Sequence, residues 1–152
     1  MTVRKLFSHW DEVRNGLEKA LMSLRPELLE FRPSDDALTT GEIFRHIAGA
    51  EVFWIQKVAL GQWEVNARFS SEAFPTQETI LELLRRTHQP TLEYLESLDL
   101  EDLHRECTSQ QGETFAISWI IWHTLEHEIH YKGQIFRDLR ARGQPVNQEY
   151  GP

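Results

Sequence analysis

Three histidines lie close together in the last third of the chain, at spacings that place their imidazole rings on one side of a helix. His123 and His127 are four residues apart, and His130 follows three residues later. Residues three and four apart lie on the same face of an α-helix. Because imidazole nitrogens are common ligands of divalent metal ions, this spacing indicates a metal site on a helix.

The segment that carries these histidines is predicted to form one long helix from Thr114 to Gly143. Thr114 is a suitable N-terminal cap, and Gly143 is a typical stop residue with Pro145 just beyond it. The broad apolar arc of this helix, which includes Trp122 and Ile129, is expected roughly opposite the histidines. Further apolar residues extend toward the histidine side, so we expect the helix to be covered both by its own bundle and by a second subunit of a homodimer. The alternative is a solvated histidine edge without chemistry.

Length, composition and charge limit the class of protein. A chain of 152 residues with 40% hydrophobic and 26% charged residues fits one globular domain. The formal charge of −8 argues against binding to nucleic acid and to anionic membranes. No apolar run approaches the roughly 20 residues of a membrane span, and no signal peptide is visible. We therefore expect a soluble, cytoplasmic protein.

The chain has a single cysteine, Cys107, which excludes an intrachain disulfide and suits a reducing cytoplasm. No general base is assigned to it, so we interpret it as a partly buried thiol and not as a nucleophile.

Two amphipathic helices are predicted in the first third of the chain. The first begins at Ser8 and is ended by Pro26, with a short helical turn expected over 27–30 in the connection that follows. The second begins at Thr39, where Glu42 has the spacing of a capping box, and continues to Gly61.

A third helix is predicted from Thr76 onward, and Pro90 lies inside it. Because proline cannot donate a backbone hydrogen bond and clashes with the preceding turn, we expect a kink or break near Gln89. His88, beside this point, is expected to be solvated. Residues 98–113 are expected to be irregular.

Together these elements predict an all-α fold, a four-helix bundle with a kinked third helix and long connecting loops. Residues 1–143 form the single domain, and residues 144–152 are expected to be a loosely ordered tail. The long connection over 61–75 carries three aromatic residues and is a candidate lid over a site.

His46 lies beside the apolar stripe of the second helix. A histidine in such a position is more often a core residue than a ligand. With the histidines of the last helix, however, it would supply three nitrogen donors from two facing helices, which is how bundles build metal sites.

Two segments of the chain resemble the DinB family of four-helix bundles, which includes metalloenzymes. The first is the Gly41–Ile47 stretch with Glu51 and Trp54, and the second is the Trp122–Ile135 stretch of the last helix. The resemblance covers nearly the whole chain. It implies a divalent ion, nickel or zinc in many members, held by one histidine of the second helix and two of the last. Some relatives resemble S-transferases or isomerases that use bacillithiol, mycothiol or glutathione. The family name refers to induction by DNA damage and implies no DNA binding.

By this resemblance, His46 matches the first metal ligand and His127 the second. The third position of the family pattern is occupied here by Tyr131 instead of histidine. Three outcomes are open: His123 replaces the missing ligand, Tyr131 binds as a phenolate, or the site holds no metal. His130 is a further candidate donor.

The resulting hypothesis is a metal-dependent transferase or hydrolase that acts on a small molecule, with a low-molecular-weight thiol as cosubstrate. Glu128 or Glu126 would orient a ligand imidazole, and Tyr131 would donate a proton or hydrogen bond to the substrate. The alternatives are a non-catalytic homodimeric scaffold with a degenerate metal site, and a small-ligand-binding protein that uses the aromatic loop as a lid.

Overall fold

Four long helices form a bundle in the computed structural model, which describes residues 1–146. The α-helices are α1 (Val3–Leu6), α2 (His9–Ser23), α3 (Thr40–Glu51), α4 (Gln77–Ser97) and α5 (Ile117–Ala141). The shorter elements are two 3-10 helices (Pro26–Glu30 and Leu100–His104), a π-helix (Val52–Ala59) and two strands, β1 (Glu106–Thr108) and β2 (Thr114–Ala116). The expected all-α four-helix bundle is confirmed.

The second long helix starts as its sequence predicts. The Thr39 hydroxyl accepts a hydrogen bond from the Glu42 amide at 3.1 Å, and the Glu42 carboxylate accepts one from the Thr39 amide at 2.7 Å. This capping box satisfies two amides that the first turn would otherwise leave unpaired. After α3 the chain continues as the π-helix and stops at Gly61, whose φ of 69° belongs to the left-handed region that favours glycine.

The start of α5 differs from the prediction. Thr114 is not its N-cap, because Thr114–Ala116 forms strand β2 and pairs antiparallel with β1, with Glu106 opposite Ala116. Backbone pairing with β1 therefore takes the place of a first helical turn. Residues 98–113, which were expected to be irregular, contain the second 3-10 helix and strand β1. The predicted end of the helix is confirmed by Gly143, which has a φ of 74°.

Helix α4 is continuous through Pro90, so the predicted alternative of a break near Gln89 is wrong. The missing proline amide removes one hydrogen bond of the ladder. The packing of this helix offsets that loss, because apolar residues both before and after Pro90 are fully buried, among them Leu84 and Leu95.

The bundle has two buried apolar clusters, one toward each end. One cluster includes Leu17, Ile47, Leu84 and Ile135, and the other includes Val13, Ile55, Leu95 and Leu125. Four helical segments, namely α2, α3 with the π-helix, α4 and α5, each place apolar residues in both clusters. In each segment a buried polar residue lies between the residues of one cluster and those of the other. These four residues, which we call the polar layer, are Arg14, Glu51, His88 and Glu128.

Part of the apolar arc of α5 is exposed. The exposed fractions of Trp122 and Ile129 are 56% and 42%, whereas Thr124 and Glu128 on the same helix are buried. These two side chains are not covered within one chain, and the expected cover by a second subunit stays a prediction.

The predicted loose tail from residue 144 falls mostly on residues 147–152, which lie outside the described residues. Gln144 is held in place, because its side chain accepts a hydrogen bond from the Arg25 amide and donates one to the Ser23 carbonyl, both at 3.2 Å. No helix within residues 1–146 is both long and apolar enough to cross a membrane.

Candidate functional site

His46 of α3 and His127 of α5 meet at the surface of the bundle. Their Nε2 atoms lie 3.0 Å apart, and their ring centroids are 4.8 Å apart. At this distance one Nε2 carries a proton and donates it to the lone pair of the other. The two residues that the family pattern assigns as first and second ligands thus lie side by side.

Tyr131 is the third member of this group. Its ring centroid lies 5.0 Å from that of His46 and 4.6 Å from that of His127. Tyr131 is one helical turn after His127, so the same face of α5 presents both side chains to His46.

His123 lies one turn before His127 but is held in a different environment. Its ring stacks on Trp119, with centroids 4.5 Å apart and planes 9° from parallel, and Trp54 contacts it edge-on at 5.0 Å.

The side chain of His130 is hydrogen-bonded to Gln134 at 2.9 Å. Within residues 1–146, no three side chains of histidine, cysteine, aspartate or glutamate are grouped so that they could hold a metal ion. The predicted set of three histidine donors is therefore not assembled in this arrangement.

The environment of the histidine pair favours neutral rings. Burial, together with the neighbouring His46, His123 and His130, lowers the pKa of His127 to about 4. Burial also lowers the pKa of His46. Both rings are therefore neutral near pH 7, which is the protonation state in which imidazole can bind a metal ion.

A pocket of about 690 Å³ opens beside the pair and is lined by both histidines. Phe53, Trp54 and Phe69 supply apolar walls, and Arg45 and Arg68 supply cationic groups. This volume lies in the range of small-molecule sites, which are apolar clefts with a few polar groups.

One wall of the pocket is formed by the long connection over 61–75, the candidate lid. The connection packs closely on α3 at Gly49, where a Cβ atom would lie only 2.5 Å from the Ala67 carbonyl oxygen. The lack of a side chain at Gly49 therefore lets the loop approach the helix that carries His46.

Glu128, expected to orient a ligand imidazole, is not brought to the histidine pair. Its carboxylate accepts hydrogen bonds from Arg14 Nη2 at 2.5 Å and from Arg14 Nε at 3.3 Å, in the interior of the bundle. The helix directs position 128 inward while position 127 points to the pocket, because adjacent residues are about 100° apart around a helix. Glu126, the other residue considered for this role, is exposed.

The prediction that His88 is solvated is wrong. Its side chain is buried, and its Nδ1 lies 2.6 Å from Oε1 of Glu51. The same Glu51 accepts a hydrogen bond from Arg14 Nη2 at 2.6 Å. The polar layer therefore consists of direct contacts, with Arg14 bound to both carboxylates.

Arg14 was not among the predicted functional residues, yet its position in the sequence carries a signal. Position 14 falls on the buried stripe of α2, next to Val13 and between Trp10 and Leu17. A cation on an apolar stripe is unusual unless it is paired with buried acids. The sequence therefore predicts a buried acidic partner for Arg14, although it does not identify which acid.

Cys107 is partly buried, as expected, and its Sγ lies 3.7 Å from the Ala59 carbonyl oxygen. Burial raises the pKa of this thiol, and Arg105 offsets the effect only in part. The side chain therefore has little thiolate character at neutral pH.

Comparison with known proteins places this arrangement in a family. The model of the DinB superfamily matches residues 9–135, which include Arg14, His46 and His127. The chain belongs to the DinB superfamily.

Its relatives in that superfamily share both length and fold. The chain is 26% identical to the protein YjoA of Bacillus subtilis (strain 168) over 142 residues, which are 91% of this chain and 90% of YjoA. The crystal structure of YjoA superposes with a TM-score of 0.73 at 20% identity and covers 97% of this chain and 96% of that one. A DinB-like protein from Bacillus cereus ATCC 10987 gives a TM-score of 0.75 at 20% identity, with 95% of each chain covered.

A more distant structure has a named activity. The mycothiol-dependent maleylpyruvate isomerase superposes with a TM-score of 0.60 at 13% identity, over 86% of this DinB chain and 60% of the isomerase. At this identity the likeness is one of fold.

Proposed function

We propose that this DinB-superfamily protein binds a divalent metal ion, nickel or zinc, through His46 and His127, and that it catalyses a thiol-dependent S-transfer or a hydrolysis on a small molecule. The observation that carries the proposal is the 3.0 Å distance between the two Nε2 atoms beside a pocket of about 690 Å³. Two nitrogen ligands that each lie about 2.0–2.1 Å from one ion can be at most about 4.2 Å apart, so this pair fits a shared ion.

The chemistry of the two donors also fits. Both rings have lowered pKa values and are neutral at pH 7. Each can offer an Nε2 lone pair to an ion when its single ring proton is on Nδ1, so metal binding replaces the hydrogen bond between the two Nε2 atoms. A set of two protein donors leaves coordination positions for solvent and substrate, as catalytic sites require. When bound there, a divalent ion would make a water molecule or a thiol more acidic.

The residues of the chain have separate tasks in this proposal. The pocket walls hold the electrophilic substrate and limit its contact with water. In the S-transfer, the cosubstrate thiol loses its proton to solvent, the thiolate forms a carbon–sulfur bond, and the leaving group departs with its bonding electron pair. Tyr131, which packs against both histidines, is the residue that we assign as hydrogen-bond or proton donor to that leaving group.

The thiol is a separate small molecule in this proposal. Cys107 is unsuited to the role because burial raises its pKa and its Sγ contacts a backbone carbonyl. The fold shared with a mycothiol-dependent isomerase supports a low-molecular-weight thiol as the first class to test.

Metal analysis of the protein, purified without a histidine tag, tests the proposal. We expect one nickel or zinc ion per chain after supplementation and dialysis, and its loss in both His46→Ala and His127→Ala. The exposed His104 lies outside the pocket, so His104→Ala is the matched control and keeps the metal. Equal metal content in all four proteins would contradict the assignment of the site.

A second function, a non-catalytic homodimeric scaffold, is favoured by the exposed aromatic surface of α5. Trp122 is 56% exposed and Trp119 is 43% exposed, which is unusual for side chains of this size. Sedimentation of the wild type and of Trp122→Ser tests it. A dimer that becomes monomeric in the variant, in a protein that binds no metal, would favour the scaffold over the enzyme.

A further inference from the structure

The polar layer joins the two helices that carry the histidine pair. Glu51 follows His46 by five residues on the α3 helix, and Glu128 is the neighbour of His127 on α5. Both carboxylates are almost fully buried, with exposed fractions of 1% and 2%. Any group that fixes these two carboxylates relative to each other also limits how α3 and α5 can move.

Arg14 is that group. Its Nη2 donates to both Glu51 and Glu128, its Nε donates to the second oxygen of Glu128, and its Nη1 donates to the Leu84 carbonyl at 3.0 Å. One planar guanidinium thus contacts α3, α4 and α5 from α2. Because the guanidinium is rigid and its donors are fixed in direction, it sets both the spacing and the rotation of its partners.

The position of the polar layer along the bundle strengthens this role. In α3 and in α5 the buried carboxylate separates the two apolar clusters, and α2 and α4 contribute Arg14 and His88 at the corresponding place. Movement of one helix that separates a buried charge pair is costly, because it leaves a charge in the interior without its partner. The layer therefore fixes the axial register of the four helices.

We infer that Arg14 is a positioning residue for the site: it holds His46 and His127 at the separation needed to bind one ion, although it lies outside the pocket. This inference rests on the proposed metal-binding function. Its effect on the separation of the His46 and His127 rings, however, can be measured without metal. Arg14 acts through Glu51 and Glu128 and touches neither substrate nor metal.

The test compares Arg14→Lys with a core variant of similar stability. Lysine keeps the buried cation but loses the planar fork, so the variant is expected to fold. Leu98→Ala removes buried apolar contacts just after the C-terminal end of α4, ten residues beyond His88, and leaves the polar layer intact. Both are first checked by circular dichroism at a temperature where each remains folded.

The first readout is the affinity for Ni²⁺ measured by calorimetry. We expect Arg14→Lys to bind Ni²⁺ about tenfold or more weakly, as is typical when the support of metal ligands is removed, while Leu98→Ala keeps the wild-type affinity. Equal affinities in the two variants would overturn the inference, because a merely structural role predicts that both behave alike.

The second readout does not require metal. In the wild type the two rings are close enough for a nuclear Overhauser effect between the His46 and His127 imidazole protons, since their centroids are 4.8 Å apart. We expect this signal to weaken in Arg14→Lys and to remain in Leu98→Ala. If the wild type binds no Ni²⁺, the proposed function fails, and the imidazole signal alone decides the role of Arg14.

A third variant serves if Arg14→Lys does not fold. The triple change Arg14→Met, Glu51→Gln and Glu128→Gln removes every charge of the Arg14 contacts together, so no carboxylate is left buried without a cation. We expect this protein to fold and to show the same loss of the ring-to-ring signal. A triple variant with wild-type affinity and an unchanged signal would overturn the inference.

Discussion

The Nδ1 atom of His88 lies 2.6 Å from Oε1 of Glu51, in the interior of the bundle and 37 residues apart in the chain. This contact joins α4 to α3, and Arg14 joins the same carboxylate to α2. Glu51 is therefore the acceptor for two cationic or hydrogen-bonding partners at once. Its ionisation links the stability of the fold to pH.

Acid is expected to destabilise the protein through Glu51. Burial alone would raise the pKa of this carboxyl group, but Arg14 and His88 outweigh burial and lower the pKa from 4.5 to about 2. A group with a lowered folded pKa contributes stability that is present above its unfolded pKa and is lost as the pH falls toward the folded pKa. We expect the free energy of unfolding to fall between about pH 4.5 and pH 2, with Glu51 accounting for about 3 kcal/mol of the loss.

Urea denaturation at a series of pH values checks this expectation. Glu51→Gln should start from a lower stability at pH 7 and lose less of it on acidification, because the substituted position no longer takes up a proton. Parallel curves for the two proteins would show that other carboxylates carry the acid sensitivity.

Substitution of His123 distinguishes between the outcomes that the sequence left open at the metal site. Because the His123 ring is stacked on Trp119 and contacts Trp54, we expect His123→Ala to leave Ni²⁺ affinity nearly unchanged. Calorimetry with His127→Ala as the positive control measures the effect. A loss of about tenfold or more would instead mean that His123 leaves its stack and becomes the third ligand.

Two glycines give a matched pair of alanine substitutions. A Cβ at Gly49 would lie 2.5 Å from the Ala67 carbonyl oxygen, so Gly49→Ala should push the 61–75 loop away from α3 and destabilise the protein by about 1–3 kcal/mol. At Gly133, inside α5, a Cβ would meet nothing within 4 Å, so Gly133→Ala should stabilise the protein by roughly 1 kcal/mol.

Urea unfolding measures both changes, and hydrogen exchange over 62–70 reports the loop. Faster exchange there is expected only in Gly49→Ala. If both alanines are neutral and exchange is unchanged, the close approach of the loop to α3 does not shape the pocket.

The reactivity of Cys107 is expected to be low. Since burial raises its pKa, an alkylating reagent at pH 8 should modify it more slowly in the folded protein than in urea. The rate is followed by mass spectrometry. Faster reaction in the folded state would indicate an activated thiol and would reopen Cys107 as a nucleophile.

The sequence predicted those features that depend on neighbouring residues. The capping box of Thr39 and Glu42 and the glycine stops at Gly61 and Gly143 are confirmed, because each is determined by the few residues around it. The bundle itself is confirmed because the apolar periodicity of its helices is strong.

The errors arise where distant segments meet. Thr114 has the residue type of a helix cap, and a strand of three residues is too short to show alternation. The pairing of Thr114–Ala116 with Glu106–Thr108 is a tertiary contact. His88 looked solvated beside Pro90, since nothing local revealed that Glu51 would bind it. Neither the pairing of Arg14 with Glu128 nor the stacking of His123 on Trp119 can be deduced from periodicity, because both depend on side-chain directions within the folded bundle.

The same aromatic cluster that holds His123 gives the protein a built-in optical probe. Trp54 lines the pocket, and Trp119 stacks on His123 one helical turn from His127. Indole emission responds to the charge and polarity of its surroundings, so a molecule that enters the pocket should alter the intrinsic fluorescence without any label. Candidate substrates can therefore be screened by titration with the unmodified protein before any reaction has been found.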